Sequence, residues 1–256
     1  MAPGGEMFRY PQHFGENVLR HGSHEWLPYS VDEVRLKCSN TNLPVSCIFH
    51  HERSEYMEAI MSFLAVNFDL PILEWIQANL QCGFLDFIMP IITLFGEGGI
   101  FWIAWAVILL FFPKTRKIGW SMGAALILGV LVCNVTLKPL IARPRPYDFQ
   151  LAEFGKEIKL LIDAQHDFSF PSGHTIACFE ASVVLLIHDK RMGIPAFILG
   201  ILVSFSRLYL YVHYPTDVIF SVFVGTGFAF LGTFIVNKVY DRLPAAKATG
   251  GKYLSK

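Results

Sequence analysis

Largely apolar runs of twelve or more residues, separated by short polar stretches, dominate the chain from residue 84 to residue 236. The longest uncharged run, IGWSMGAALILGVLVCNVTL at 118–137, has twenty residues, which is enough for a helix that crosses a bilayer. The pattern therefore predicts an all-α fold, a bundle of six transmembrane helices. The predicted spans are 84–95, 99–112, 118–137, 174–187, 194–212 and 218–236.

A shorter amphipathic segment, PILEWIQANLQ at 71–81, precedes the first span. It begins with a proline and repeats apolar residues at helical spacing. Because it is too short and too polar to span, we predict a short helix at the membrane interface. We expect 84–95 to be a kinked first span that includes part of the preceding helix, and GEGG at 96–99 to be the turn that follows it.

The two ends of the chain have a different composition from the middle. Residues 1–57 hold five of the nine histidines and many charges without a clear period, and they are predicted to be a poorly ordered N-terminal extension. The membrane-embedded domain is placed at 58–240, and 241–256 is predicted to be a cytoplasmic tail. The first residues lack an apolar h-region, so we expect insertion through an internal helix rather than a cleavable signal.

The overall composition supports a membrane protein. Apolar residues make up 53% of the chain and charged residues only 16%, whereas a soluble domain carries about a quarter. The formal net charge is zero, which gives no indication of nucleic-acid binding. The five cysteines have no metal-type spacing, and no disulfide framework is inferred from them.

The lysine and arginine residues of the loops predict the orientation. Basic residues recur in 113–117, in 188–193 and after residue 236, so these segments and the C-terminus are predicted to be cytoplasmic, with the plasma membrane as the expected location. Residues 96–99, 138–173 and 207–217 then face the other side. The stretch 138–173 also contains five basic residues, which weakens the prediction, although five acids accompany them.

Three separated polar stretches fall on this predicted extracytoplasmic side. They are KPLIARPRP at 138–146, PSGH at 171–174 and SRLYLYVHYPTD at 206–217. Ionisable groups at the mouths of apolar helices are costly, which makes them candidates for function. The candidates are Lys138, Arg145, Ser172, Gly173, His174, Arg207, His213 and Asp217.

Three permanent cations around one point suit a tetrahedral dianion such as phosphate. The backbone N–H groups of Ser172 and Gly173, at the start of a helix, can seat an anion. Asp217, four residues after His213, can accept Nδ1–H and leave the other ring nitrogen free to attack. His174 then remains to protonate the departing oxygen. These residue types predict phosphoryl transfer through a phosphohistidine.

The same stretches resemble the three signature motifs of the type 2 phosphatidic acid phosphatase superfamily, which includes haloperoxidase relatives. The matching residues are Lys138-x6-Arg145-Pro146, Pro171-Ser172-Gly173-His174 and Ser206-Arg207-x5-His213-x3-Asp217. The resemblance covers residues 70–240. It implies a six-helix membrane enzyme that hydrolyses a lipid phosphate or diphosphate without metal or cofactor. It also implies that His213 is the nucleophile, Asp217 its partner and His174 the general acid, and that Lys138, Arg145, Arg207, Ser172 and Gly173 hold the phosphate.

Several alternatives stay open at this point. Undecaprenyl diphosphate, phosphatidic acid, phosphatidylglycerophosphate and smaller isoprenoid phosphates all present the same terminal phosphate. A phosphotransferase would use the same motifs. A metallohydrolase with His174, His213 and Asp217 as ligands is disfavoured because the cations would repel the metal, and a non-catalytic transporter is disfavoured because its site tends to lie at mid-bilayer. The expected partners are the lipid substrate and the bilayer; the oligomeric state is not predicted.

A few residues lie outside the motifs. We interpret Arg143 as a lipid-headgroup contact or a solvated charge rather than a second phosphate ligand. Glu97 has no assigned role, and Glu180 is interpreted as a satisfied buried acid rather than part of a proton path. Three tyrosines at 209, 211 and 214 are expected to form an aromatic belt.

Overall fold

The computed structural model describes residues 57–240 and residue 242. The predicted N-terminal extension lies outside the described residues apart from Met57, and so does the predicted tail apart from residue 242. Throughout the described part the regular structure is helical, with no strand. The all-α fold class is confirmed.

The described part contains seven helices. Helix α1 is Met57–Leu80 and α2 is Gly83–Phe111. Helix α3 covers 116–141 and includes a π-helical stretch, Val130–Leu137. The remaining helices are α4, Pro146–Phe154; α5, Gly173–His188; α6, Lys190–Tyr209; and α7, Pro215–Tyr240.

Five of the helical segments are long and apolar enough to cross a membrane. They are α1, α2, the segment that begins with α3, α6 and α7. Helix α5 has only 16 residues, so the predicted number of six spanning helices stays a prediction. Large apolar side chains on the outer faces of these helices are exposed, as expected of a surface that faces lipid.

The predicted division of the first spans is wrong. The stretches 84–95 and 99–112 are not two separate spans, because both belong to one candidate span of 29 residues, α2. The expected break at GEGG is present, since Glu97 and Gly98 leave helical φ and ψ angles. GEGG lies in a 3₁₀-helical kink, Leu94–Gly99, in which Gly98 and Gly99 adopt positive φ angles of 55° and 67°. Glycine tolerates these angles, so the helix changes course there and continues.

The predicted helix at 71–81 has the wrong bounds, because residues up to Leu80 form the second half of α1, and its interfacial location stays a prediction. Asp69 interrupts the apolar pattern upstream and concealed the full length of this helix. The side chain of Asp69 is nevertheless fully buried and forms an ion pair with Arg143. A charge that would be costly in an apolar helix is therefore compensated by a partner from another part of the chain.

Helix α5 is the central helix of the bundle. Residues on all its sides are buried, including an unbroken stretch from Cys178 to Leu185. It packs against α3, α6 and α7 and against the kink of α2. Its first residue, Gly173, follows directly on the PSG turn, so this packing fixes the position of His174.

Candidate active site

A cavity of about 220 Å³ lies where the kink of α2, the C-terminal end of α3 and the N-terminal end of α5 meet. Five of the eight predicted site residues line it: Lys138, Arg145, Gly173, His174 and His213. The other three, Ser172, Arg207 and Asp217, are buried. The three polar stretches that are distant in sequence are thus brought together.

His213 and Asp217 are held at the start of α7. Pro215 begins the helix, and one turn places Oδ2 of Asp217 3.5 Å from Nδ1 of His213, slightly longer than a hydrogen bond. The opposite ring nitrogen, Nε2, lies 3.4 Å from Nη1 of Arg145. Burial, and then the charges of Arg145, Arg207 and Lys138, hold the pKa of the His213 imidazole well below its usual range. A neutral imidazole is the form that can act as a nucleophile.

The Asp217 carboxylate is saturated with hydrogen-bond donors. Nη1 of Arg143 donates to Oδ1 at 2.5 Å, while the Ser169 hydroxyl and the backbone N–H of Tyr214, at 3.0 Å, donate to Oδ2. This arrangement fixes the carboxylate beside His213.

Arg143 is not the headgroup contact or solvated charge that the sequence suggested. Only 2% of Arg143 is exposed; it pairs with Asp69 and Asp217 and stacks 3.7 Å from the ring of Tyr214.

The predicted aromatic belt is also wrong, because Tyr209, Tyr211 and Tyr214 are all buried. These side chains pack inside the protein and not at a lipid interface.

Lys138, Arg145 and Arg207 are hereafter called the cation cluster. They differ in whether their side-chain donors already have partners in the protein. Lys138 and Arg145 both bind the carboxylate of Asp167, from the loop before PSGH. Burial by itself raises the pKa of Asp167, but hydrogen bonds and charges from Lys138 and Arg145 outweigh it and lower the pKa to about 2. This carboxylate is therefore a permanent anion beside two cations expected to bind phosphate.

Arg207 retains free donors. Its Nη1 donates to Thr93 Oγ1 at 2.7 Å. Its Nε and Nη2 are buried and have no hydrogen-bond partner within 57–240. Because an unsatisfied buried guanidinium is costly, this edge of Arg207 is suited to an anion that enters from outside.

The PSGH turn departs from one expectation. The backbone N–H of Ser172 donates to Ser221 Oγ at 2.9 Å, so it is not free to bind an anion in this structure. Gly173, the first residue of α5, lines the cavity near Asn134. The predicted anion seat is thereby reduced to the amides from Gly173 onward.

His174 has an acidic neighbour that the sequence left unassigned. Its Nε2 lies 3.2 Å from Oε2 of Glu97, in the α2 kink. A Cβ on Gly96 would lie 2.7 Å from Cδ2 of His174, so the absence of a side chain there allows the ring to pack against the kink. Glu97 therefore places a carboxylate within hydrogen-bonding distance of the His174 ring.

Sequence reasoning missed Asp69, Thr93, Asp167 and Ser169. Only Asp69 gave a usable signal, as an acid inside a largely apolar run.

The arrangement of side chains offers no support for the metal-site alternative. Within 57–240, no three His, Cys, Asp or Glu side chains are grouped so that they could hold an ion. Glu180 is buried, and its Oε1 has no partner among the described residues, so it is not the satisfied acid expected.

Comparison with known proteins agrees with the three motifs. The sequence profile described as the PAP2 superfamily matches residues 118–241. An undecaprenyl-diphosphatase from Sulfolobus acidocaldarius is 31% identical over 179 residues, which cover 70% of this chain and 83% of that protein. The chain belongs to the PAP2 superfamily. All eight predicted site residues lie inside the matched PAP2 segment.

Other PAP2 relatives cover comparable parts of the chain. The undecaprenyl-diphosphatase BcrC of Bacillus subtilis is 33% identical over 152 residues, 57% of this chain and 72% of that protein. The crystal structure of a transmembrane PAP2 type phosphatidylglycerolphosphate phosphatase from Bacillus subtilis gives a TM-score of 0.54 at 27% identity. It covers 73% of this chain and 96% of that one. With its membrane-length helices, this chain is an integral membrane protein.

Proposed function

We propose that this PAP2 membrane phosphatase removes the terminal phosphate from a lipid phosphate or diphosphate through a phosphohistidine at His213, without a metal ion. The geometry of the His213 ring carries the proposal. Its Nδ1 faces the Asp217 carboxylate at 3.5 Å, and its Nε2 lies 3.4 Å from Arg145. An imidazole held in this way offers one nitrogen to phosphorus beside a cation that can bind the phosphoryl oxygens.

In the first step, Nε2 of His213 attacks the terminal phosphorus and forms an N–P bond while the bond from phosphorus to the lipid oxygen breaks. The electron pair leaves with the lipid oxygen, which takes a proton from the imidazolium form of His174. The proton on Nδ1 of His213 remains on the ring, and the carboxylate of Asp217 offsets the positive charge of the phosphorylated imidazole.

In the second step, water attacks the phosphohistidine and His174, now neutral, accepts a proton from that water. The N–P bond breaks, its electron pair returns to Nε2, and inorganic phosphate leaves. Both histidines are then in their starting protonation states. Glu97, 3.2 Å from Nε2 of His174, supports this assignment because its carboxylate can offset part of the positive charge of the imidazolium that each cycle restores.

The cation cluster provides the electrostatic part of catalysis. The two donors of Arg207 that have no partner among the described residues offer a planar fork to two phosphoryl oxygens, and Lys138 and Arg145, which line the cavity, add positive charge. Stabilisation of charge on a transferring group is usually the largest contribution to the rate.

An isoprenoid diphosphate is the first substrate to consider. The cavity has an apolar wall, to which Ile103, Leu126 and Val130 contribute, and this wall suits the hydrocarbon next to the phosphate. Two relatives more than 30% identical are named undecaprenyl-diphosphatases. Phosphatidylglycerophosphate is the second, because a relative of known structure is named for it.

We place the protein in the plasma membrane, with the site on the extracytoplasmic side and the C-terminus in the cytoplasm. Lys114 and Lys117, near the link between α2 and α3, and Lys190 and Arg191, at the start of α6, lie at helix ends opposite those that carry the site. The positive-inside rule assigns such loops to the cytoplasm. Single cysteines introduced at 150–165 should react with a membrane-impermeant thiol reagent in intact cells, and labelling only after lysis would reverse the orientation.

The enzymatic proposal is tested with the purified full chain in detergent and EDTA. We expect phosphate release from undecaprenyl diphosphate, phosphatidic acid or phosphatidylglycerophosphate, and a loss of at least about a thousandfold in His213→Ala. Substrate labelled at the terminal phosphate should leave an acid-labile, base-stable label on the wild-type chain. Activity that EDTA abolishes and zinc restores, or normal turnover by folded His213→Ala, would overturn the proposal.

A further inference from the structure

A buried ionic network lies directly behind the His213–Asp217 pair. The guanidinium of Arg143 bridges two carboxylates: its Nη2 donates to Asp69 at 2.6 Å and its Nη1 to Asp217 at 2.5 Å. At most 1% of each of these three side chains is exposed. Neither Asp69 nor Arg143 belongs to the three motifs, and Asp69 lies in α1, outside the matched PAP2 segment.

The network also holds the segment between the two catalytic candidates. Asp69 accepts hydrogen bonds from the backbone N–H of Thr216, at 2.9 Å, and from its hydroxyl, at 2.7 Å. Arg143 donates to the same hydroxyl at 2.8 Å. Since Thr216 lies between His213 and Asp217, a displacement of Asp69 would change the separation of His213 from its carboxylate.

The local structure of α1 is adapted to this contact. Asp69 is the last residue of a five-residue π-helical stretch, Ala65–Asp69. A π-helical turn inserts an extra residue into an α-helix, and such turns are frequent at functional sites. The insertion rotates the following part of α1 relative to the preceding part, which is consistent with a carboxylate aimed at a fixed point.

The charges of the network show why two carboxylates are needed. Arg143 alone would neutralise Asp217 and leave little negative charge for a cationic ring at His213. With Asp69 added, two carboxylates and one guanidinium carry one net negative charge. That charge balances the single positive charge of the phosphorylated imidazole, and an uncompensated charge would be costly at a buried site.

We infer that Asp69 and Arg143 are positioning residues for the nucleophile: together they fix Asp217 against His213 and keep one net negative charge behind the ring. The inference rests on the proposed function, because it takes His213 as the attacking residue. It extends the active site to α1, a helix that the PAP2 profile does not cover.

Orthovanadate and inorganic phosphate separate this role from a structural one. Vanadate binds a histidine nitrogen in a five-coordinate form that resembles the transition state, whereas phosphate reports mainly on the cation cluster. Calorimetry on the purified full chain should show vanadate binding weakened roughly tenfold or more in Asp69→Asn, with phosphate binding changed by less than about twofold. Asp86→Asn is the matched control, since the Asp86 carboxylate accepts a hydrogen bond from Tyr209 and does not contact the network. The affinities for vanadate and for phosphate should both be unchanged in Asp86→Asn.

The outcomes are distinguishable. If Asp69→Asn weakens vanadate and phosphate binding equally, or changes neither, the positioning role is wrong. If His213→Ala binds vanadate as tightly as the wild type, the proposed nucleophile fails and this inference fails with it. If His213→Ala loses vanadate binding while Asp69→Asn retains it, only this inference fails.

Two substitutions of Arg143, one that keeps its charge and one that removes it, test its role. Both are needed because loss of the guanidinium leaves two buried carboxylates unpaired. Arg143→Lys keeps the charge and should bind vanadate more tightly than Arg143→Gln, with both weaker than the wild type. In lipid turnover, Asp69→Asn should lower kcat roughly tenfold while KM stays within about twofold. A rise in KM at constant kcat in Asp69→Asn would overturn the inference. If Arg143→Gln does not fold, Asp69→Asn still tests the inference.

Discussion

The Asp167 carboxylate lies between Lys138 and Arg145 and forms an ion pair with each of them. Its own side chain is 55% exposed, whereas those of Lys138 and Arg145 are 12% and 3% exposed. An anion from a solvent-facing loop thus reaches two cations of low exposure that are expected to bind phosphate. We therefore expect Asp167 to compete with the phosphate group for the same donors.

Asp167→Asn tests this competition. Removal of the competing carboxylate should tighten the binding of inorganic phosphate about fivefold, since partly exposed ion pairs contribute up to about 1 kcal/mol. Calorimetric titration of the purified chain measures the effect. Asp163→Asn, an exposed acid in the same loop, is the control for loop charge and should bind phosphate as the wild type does. Weaker binding by Asp167→Asn would mean that this carboxylate aligns the two cations instead.

Thr93 orients the guanidinium of Arg207. Its hydroxyl accepts a hydrogen bond from Nη1 at 2.7 Å, and Nε and Nη2 have no partner within 57–240, so we expect them to bind the substrate. Thr93→Val preserves the shape of the side chain and removes the acceptor. A hydrogen bond to a charged group contributes about 1.5 kcal/mol, so kcat/KM for the lipid substrate should fall roughly tenfold. Unchanged kcat/KM in Thr93→Val would show that packing alone holds Arg207.

Convergence of the motifs was predictable because each one lies at the end of an apolar run. Helices that cross the membrane in alternate directions bring alternate ends to one side, so 138–146, 171–174 and 206–217 had to share a face. That argument predicted which motifs meet. It did not fix their hydrogen bonds, and the N–H of Ser172, expected to bind phosphate, donates to Ser221.

The errors at the N-terminal end have a common physical cause. The polarity of Asp69 made α1 look shorter than it is, and GEGG looked like a turn between two spans. Both features depend on partners far along the chain: Arg143 is 74 residues from Asp69, and His174 is 77 residues from Glu97. A local pattern of apolar and polar residues contains no information about such compensation, so it cannot separate a buried, paired acid from the end of a helix.

Neutral His213 predicts a specific dependence of stability on pH. Burial, followed by the charges of Arg145, Arg207 and Lys138, lowers the pKa of this imidazole in the native chain. Below the unfolded value of about 6.5, the unfolded chain binds a proton that the native chain does not. Native stability should therefore fall with decreasing pH, by at most about 1.4 kcal/mol per unit from this group.

His213→Gln removes that contribution. Between pH 6.5 and 5, the midpoint of thermal unfolding should fall less steeply in His213→Gln than in the wild type. A steeper or equal fall in the variant would mean that native His213 takes up a proton in this range, in conflict with its proposed role as a neutral nucleophile.

Gly225 sets the distance between α7 and α5, and so between the elements that carry His213 and His174. A Cβ at this position would lie 2.9 Å from the carbonyl oxygen of Ile176 and 3.2 Å from Cβ of Phe179, both on α5. Neither atom can move without a shift of the helix. Gly225→Ala should therefore separate the two helices and cost about 1–3 kcal/mol of stability, with loss of lipid phosphatase activity.

Gly227 provides the matched control on the same helix, since a Cβ there meets no atom within 4 Å. Gly227→Ala should leave activity unchanged and raise the unfolding midpoint slightly, because alanine favours a helix over glycine by up to about 1 kcal/mol. Both substitutions raise the helix propensity of α7 equally. A difference between them in stability or activity therefore reports on the close packing at Gly225. If Gly225→Ala were as stable and active as Gly227→Ala, the close approach of α7 to α5 would not hold the two histidines in place. Ser221 on α7, which accepts the N–H of Ser172, would then be the contact to test next.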